Sequence, residues 1–274
     1  MTTKIKFWGV RGTIPTPYPS HMEFGGNTSC VELLLGERRL ILDAGTGIRS
    51  LGHWMQQHGV YDAHLLLSHT HLDHINGFPY FGPVFDTRTR LKIMAGHLWH
   101  QGGIQQVLRQ HLAEPNFPVP VEKMGASMEF VDFRAGEVLS FGDGIEVRTA
   151  PLNHPYGATG YRIDYRGRSV CYVTDTEHVP GTLDRRILDL IEGADIFIYD
   201  CTYTDAEFAD KVGWGHSTWQ EGHRLAAAGK VKSFVIFHHE PDHDDEAMTR
   251  IEAEAKALAA TTLVAREGME ILLS

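Results

Sequence analysis

Ser68-His69-Thr70-His71-Leu72-Asp73-His74 follows directly on the apolar run His64-Leu65-Leu66-Leu67. Successive side chains of an extended segment point to opposite sides, so His69 and His71 fall on one side and can share a cation. Asp73 and His74 stand where the chain turns into its next segment and can face a second cation. Imidazole nitrogen and carboxylate oxygen together suit zinc, with manganese or iron as alternatives. Scattered histidines are ordinarily solvated loop residues. Three histidines and an aspartate within six residues, at the end of an apolar strand, are not scattered.

Outward from this stretch, β-rich runs and helical segments alternate. Lys4–Val10, Cys30–Leu35, Arg39–Asp43, His64–Ser68 and Leu91–Ala95 read as strands. So do Met128–Val131, Ile145–Ala150, Gly160–Tyr165, Ser169–Thr174, Asp195–Tyr199, Ser233–Phe237, Thr262–Ala265 and Met269–Leu273. Helices are expected at Ile48–His58, Gly103–Leu112, Leu183–Ile191, Thr218–Ala228 and Asp244–Ala260. Strands come in groups with helices between the groups. That order predicts an α+β fold of two mixed sheets with helices outside them, and argues against a regular βαβ series. The Pro-rich residues 114–125 read as a surface loop, and no linker or repeat divides the chain, so 1–274 is read as one domain.

Composition narrows the function. Of 274 residues, 42% are hydrophobic and 22% charged, as in an ordinary globular protein. The cysteines, Cys30, Cys171 and Cys201, are sparse and odd in number, which fits a reducing cytoplasm and no disulfide framework. No run approaches the ~20 apolar residues of a membrane span, and the N-terminus lacks the apolar core of a signal peptide. A formal charge of −10 is a poor basis for gripping a polyanion, whose non-specific affinity comes from lysine and arginine. Seventeen histidines are the compositional anomaly.

The H-x-H-x-D-H pattern at His69, His71, Asp73 and His74 resembles the signature of the metallo-β-lactamase superfamily. The likeness extends over nearly the whole chain. It implies an αββα four-layer sandwich with two divalent metal ions at one edge. Asp43-Ala44-Gly45-Thr46-Gly47 matches an upstream element whose aspartate supports a ligand-bearing loop. By the same resemblance His154, in Asn153-His154-Pro155, is the third histidine on the first metal, and Asp175 is the carboxylate bridging both. The last ligand should be His238 or His239. Neighbouring residues on an extended backbone point to opposite sides, so one of the two coordinates.

Tyr199-Asp200-Cys201-Thr202-Tyr203, followed by Gly215-His216-Ser217-Thr218, looks like the ribonuclease Z and small phosphodiesterase branch. Counting without gaps from His216 lands on His238, which is therefore preferred to His239. Asp200 stands where that branch has glutamate. The resemblance implies hydrolysis of a phosphodiester by a metal-bridged hydroxide, with Asp73 a ligand that also orients the water. His216 would serve the leaving group beside Asp200. Asn27 and Thr28 match a G-N-T element and are candidate phosphate contacts. The branch's long basic tRNA arm has no counterpart here, so a small phosphodiester or cyclic nucleotide is the expected substrate and nucleic acid is disfavoured. The alternatives are an RNA endonuclease of the ribonuclease Z type, a lactone or thioester hydrolase, and a metal-loaded sensor. A homodimer is left open.

Overall fold

A computed structural model of the chain describes residues 3–99 and 102–273. Strict alternation builds the first strand, β1 (Thr3–Gly9): Ile5 and Phe7 are buried, while Lys4, Lys6 and Trp8 are partly exposed. It joins β2 (Cys30–Leu35), β3 (Arg38–Leu42), β4 (Asp62–Leu67), β5 (Arg90–Ala95), β6 (Ser127–Asp132) and β14 (Glu270–Leu273) in a seven-stranded sheet of order β14-β1-β2-β3-β4-β5-β6. The second sheet holds β7 (Val138–Gly142), β8 (Ile145–Leu152), β9 (Ala158–Tyr165), β10 (Arg168–Val173), β11 (Ile196–Asp200), β12 (Ser233–Phe237) and β13 (Leu263–Val264), in the order β13-β12-β11-β10-β9-β8-β7.

Each sheet is antiparallel in one half and parallel in the other. The parallel ladders are β3-β4-β5-β6 and β10-β11-β12-β13. Apolar side chains from both inner faces, among them Phe7, Leu33, Tyr161, Tyr172 and Phe237, pack between the sheets. A second apolar layer lies under α1 (Ile48–Gln57) and α3 (Gly103–His111), outside the first sheet. A third lies under α4 (Arg185–Ile191), α6 (Trp219–Ala228) and α7 (Asp245–Leu258), outside the second. The result is the expected αββα order of layers. Asp184, Thr218 and Asp244 cap α4, α6 and α7 by accepting from backbone N–H groups of the first turn.

This arrangement decides where the site falls. The carboxyl ends of parallel strands from both sheets meet at one edge, and the chain turns sharply as it leaves them. Asp43 follows β3, Asp175 lies just beyond β10 and His238 follows β12, with φ of 63°, 56° and 62°. Left-handed backbone at non-glycine residues is costly and tends to gather where function holds it.

Candidate metal centre

His69 and His71 follow β4, with His71 in extended backbone, and Asp73 and His74 lie in a one-turn helix, α2 (Leu72–Ile75), where the sequence predicts only a turn. Asp73 and His74 are buried while Leu72 between them is exposed. Two groups of converging ligand atoms result. His69, His71, His154 and Asp175 form one, and Asp73, His74, Asp175 and His238 the other, with each group's atoms within 4.8 Å of one another. Asp175 is common to both. Its Oδ2 faces Nε2 of His69 at 3.5 Å, and its Oδ1 lies 3.2 Å from Nε2 of both His74 and His238.

The hydrogen bonds behind the histidines show that this cluster fits metal ions. His154 Nδ1 donates to the Gly215 carbonyl at 2.7 Å, and His74 Nδ1 to Asp43 at 2.8 Å. His238 Nδ1 pairs with the Thr202 hydroxyl at 3.0 Å, and His69 Nδ1 with Ser68 Oγ at 3.1 Å. With its outer nitrogen donating, a neutral imidazole presents a lone pair on the inner one. In their neutral forms Nε2 of His74 and Nε2 of His238, 3.3 Å apart, would thus be two acceptors facing each other. That separation suits two nitrogens on one tetrahedral ion at ~2.0–2.1 Å. His69 Nε2 is buried and has no hydrogen-bond partner among the described residues. A buried polar atom left so is costly unless something not yet counted binds it.

Charge follows the same logic. Burial holds His69 well below the ordinary imidazole range, and His71 and His154 are also lowered, chiefly by burial. Burial also opposes the charge on Asp175, but His238, His74 and His69 outweigh it and keep its carboxyl well below the usual range. Asp73 is likewise held low against its burial by His74 and His238. Ionised carboxylates beside neutral imidazoles are what a divalent cation requires. His74 is the exception: burial opposes its charge, but Asp175, Asp73 and Asp43 push it well above the ordinary imidazole range, so a cation seated there would displace its proton.

Two further aspartates are occupied otherwise. Asp43 accepts from Ser68 N, Ser68 Oγ, His74 Nδ1 and Tyr172 Oη, all at 2.7–2.8 Å. Asp200 accepts from Thr202 N and Oγ1 on one oxygen, and from Thr176 N and His216 Nδ1 on the other. Four donors fill a carboxylate's acceptor sites, so both orient histidines and leave nothing for a metal. Asp200 does stand near Asp175, His216 and His238 in a third group of metal-competent residues, but its saturation argues against a cation there. The His216 ring stacks on that of His238 at 5.0 Å between centroids. Burial opposes its protonation, yet Asp200 and then Asp175 push its pKa up to about 9; cations bound nearby would draw that value down.

The remaining sequence candidates divide. His239 turns away from the cluster and bonds the Ala265 carbonyl through Nε2 at 2.9 Å, while His238 faces into it. Asn27 lines a cleft of about 580 Å³ together with Thr46, Leu72 and Tyr80. Thr28 is fully buried, and its hydroxyl accepts from Thr46 N at 2.8 Å, so it braces a turn and does not reach an open surface. Several contacts escaped the sequence reading. Thr13 donates its backbone N–H to Asp73 Oδ2 at 2.8 Å, and Gly12 lies against the His238 ring, where any side chain would collide. Tyr172 and Thr202 were legible only as members of strand and turn. Their inward alternation was the available signal.

The chain belongs to the family described as Beta-lactamase superfamily domain, whose model matches residues 38–239. It is similar to a protein named ribonuclease Z from Haloarcula marismortui, at 22% identity over 98% of this chain and 96% of the relative. A ribonuclease Z of a Bradyrhizobium species is 25% identical over 96% and 97%. Among solved structures it is similar to the metallo-beta-lactamase fold protein YhfI of Bacillus subtilis, with a TM-score of 0.74, 18% identity and 99% of each chain covered. A diphosphatase from the PhnP family gives 0.72, at 18% identity over 99% of this chain and 98% of that one. The short form of human tRNase Z gives 0.65, at 18% identity over 98% of each. Family membership and the cluster together define a metal-dependent hydrolase.

Proposed function

We propose that this hydrolase cleaves small phosphodiesters, cyclic nucleotides among them, at a binuclear centre. His69, His71 and His154 would hold one ion and Asp73, His74 and His238 the other, with Asp175 placed to serve both. Zinc suits this donor set, with manganese or iron as alternatives. Such ions supply a water activated near neutral pH and positive charge opposite the phosphoryl oxygens. The observation that carries the reading is His216. Its Nδ1 is held by Asp200 at 3.1 Å, and its ring lies against His238 at the edge of the cluster. Held so, its Nε2 can give a proton to a departing alkoxide, a step that thioester chemistry, with its less basic thiolate, needs less. Asp73, beside His74 and His238, would hold one ion and help orient the water.

A small substrate is favoured by the charge of −10 and by the size of the 580 Å³ cleft beside Leu72 and Asn27. The segment between α3 and β6, residues 112–126, is short and folded back: Val121 and Met124 are buried, and Phe117 meets Tyr80 edge-on at 5.9 Å. It is not a basic arm. The relatives named ribonuclease Z nonetheless weaken the exclusion of nucleic acid drawn from charge, and RNA cleavage is the second reading. Metal-loaded protein assayed on bis(p-nitrophenyl) phosphate, a cyclic nucleotide, a lactone and a pre-tRNA tests the choice. Turnover of the first two alone supports the proposal, and turnover of the lactone or pre-tRNA alone refutes it.

A further inference from the structure

His154 to Gly157 form a tight turn closed by a hydrogen bond from Gly157 N to the His154 carbonyl at 2.8 Å. Pro155 takes the second place of the turn, and the third has φ of 63°. That is the type II pattern, whose third place favours glycine or asparagine because a Cβ is strained there. The residue present is Tyr156.

Other left-handed non-glycine residues have visible reasons. Asp143, Arg166 and Lys230 stand beside glycines in surface turns, Thr13 is held by its N–H donating to Asp73, and Asp43, Asp175 and His238 are held by the hydrogen bonds and converging groups of the metal centre. Tyr156 has no such support. Its side chain makes no hydrogen bond or ring contact among the described residues, and it is 87% exposed, the most of any large hydrophobic side chain described. Strain at a bulky residue persists where something offsets it, and no side-chain partner among the described residues does so here.

Its position suggests what does. Tyr156 is two residues from His154. Pro155 packs close to Gly215, so the turn that carries Tyr156 lies against the segment that carries His216. We propose that Tyr156 is a specificity-determining residue that stacks on an aromatic group on the non-leaving side of the substrate, a nucleobase or aryl ring, as its phosphate meets the metal centre. Exposed tyrosine suits this role because a flat face can be covered by any aromatic ring with little loss of side-chain freedom. The inference rests on the phosphodiesterase reading for its reaction, but not for its binding step.

The test compares Tyr156→Gly and Tyr156→Phe with the parent on two esters sharing one leaving group, bis(p-nitrophenyl) phosphate and methyl p-nitrophenyl phosphate. Tyr156→Gly should raise Tm, since the turn then holds its preferred residue. It should also lower kcat/KM about 5- to 100-fold for the diaryl ester, mainly through KM, and leave the methyl ester unchanged. Tyr156→Phe should match the parent on both. Equal change on both esters, or none on either, overturns the proposal. If the parent hydrolyses neither, the phosphodiesterase reading fails, and binding then decides. Calorimetric titration of the metal-loaded protein should show adenosine 5′-monophosphate binding more tightly than ribose 5-phosphate, with the difference lost in Tyr156→Gly. Equal affinities in the parent overturn the stacking role.

Discussion

His216 Nδ1 lies 3.1 Å from Oδ2 of Asp200, a carboxylate whose other acceptor positions are filled by Thr202 and by the backbone N–H of Thr176. The imidazole is therefore aimed by a group that cannot itself turn to a metal. His216→Ala should keep its metal content while kcat falls ~10²–10⁴-fold, the usual cost of losing a general acid. The loss should be smallest with p-nitrophenolate as leaving group and largest with a ribose hydroxyl. A variant that loses metal, or slows both substrates equally, would show His216 to be a ligand or a brace.

Asp200→Asn keeps the shape but weakens the partner that fixes the His216 ring. It should lower kcat on an alkoxide-leaving substrate by about tenfold or more, following the usual cost of a missing orienting group. Parallel kinetics of Asp200→Asn, His216→Ala and the double variant check this. If the two act through one another, the double variant is no slower than His216→Ala alone.

His238 and His239 offer a sharper contrast. His238→Ala removes a nitrogen that faces both Asp73 and Asp175, and bound metal should fall from two equivalents towards one. His239→Ala should keep both metals and lose about 1–3 kcal/mol of stability, because its bond to Ala265 is buried. Gly12→Ala should behave like the His238 variant, since an added methyl group would displace that ring. Elemental analysis beside thermal unfolding separates these outcomes.

Much of this was legible in the residues. The strand before His69 and the H-x-H-x-D-H spacing point to both groups of converging histidines and aspartates, and the apolar periodicity finds nearly all the long elements. The edge strand β7 escaped because Val138, Ser140 and Gly142 face outward and only Leu139 and Phe141 mark its inner side. α2 and α5 (Asp205–Phe208) are single turns, too short for a helical period to show. The reading of Thr28 as a phosphate contact met a different obstacle. Sequence gives the residue type in a turn but not which way its hydroxyl points, and here it points inward to Thr46. The supports contributed by Thr13, Tyr172 and Thr202 come from segments far apart in the chain, so only the packing of the two sheets brings them together.

Far from the site, Asp195 ties the starts of neighbouring strands by accepting from Ser169 N at 2.8 Å and Lys232 Nζ at 2.7 Å. Burial opposes its charge, but the bonds from Lys232 and Ser169 outweigh it and lower its pKa below the ordinary 3.8. A depressed carboxylate stabilises the fold above its unfolded pKa, and the contribution is lost as pH falls through the folded value. Asp195→Asn should thus cost about 1–2 kcal/mol at neutral pH, with the gap closing below about pH 4. Denaturant titrations at pH 7 and pH 3 check the sign.

Salt distinguishes a small substrate from a polyanion. Turnover of a cyclic nucleotide should change little between low and moderate salt. Binding of a nucleic acid through many phosphate contacts would lose about 10³–10⁵ in affinity over 50–200 mM salt. A steep salt slope with efficient cleavage of pre-tRNA would favour the ribonuclease reading.

The central claim is that two ions, shared through Asp175, perform the hydrolysis. Its most direct test is titration of the metal-free protein with zinc, and separately with manganese, while hydrolysis of bis(p-nitrophenyl) phosphate is followed. The account predicts no activity without metal, and a rise that reaches its plateau at two equivalents per chain for at least one of the metals. Full activity in the metal-free protein, or a plateau at a single equivalent with both metals, would contradict it.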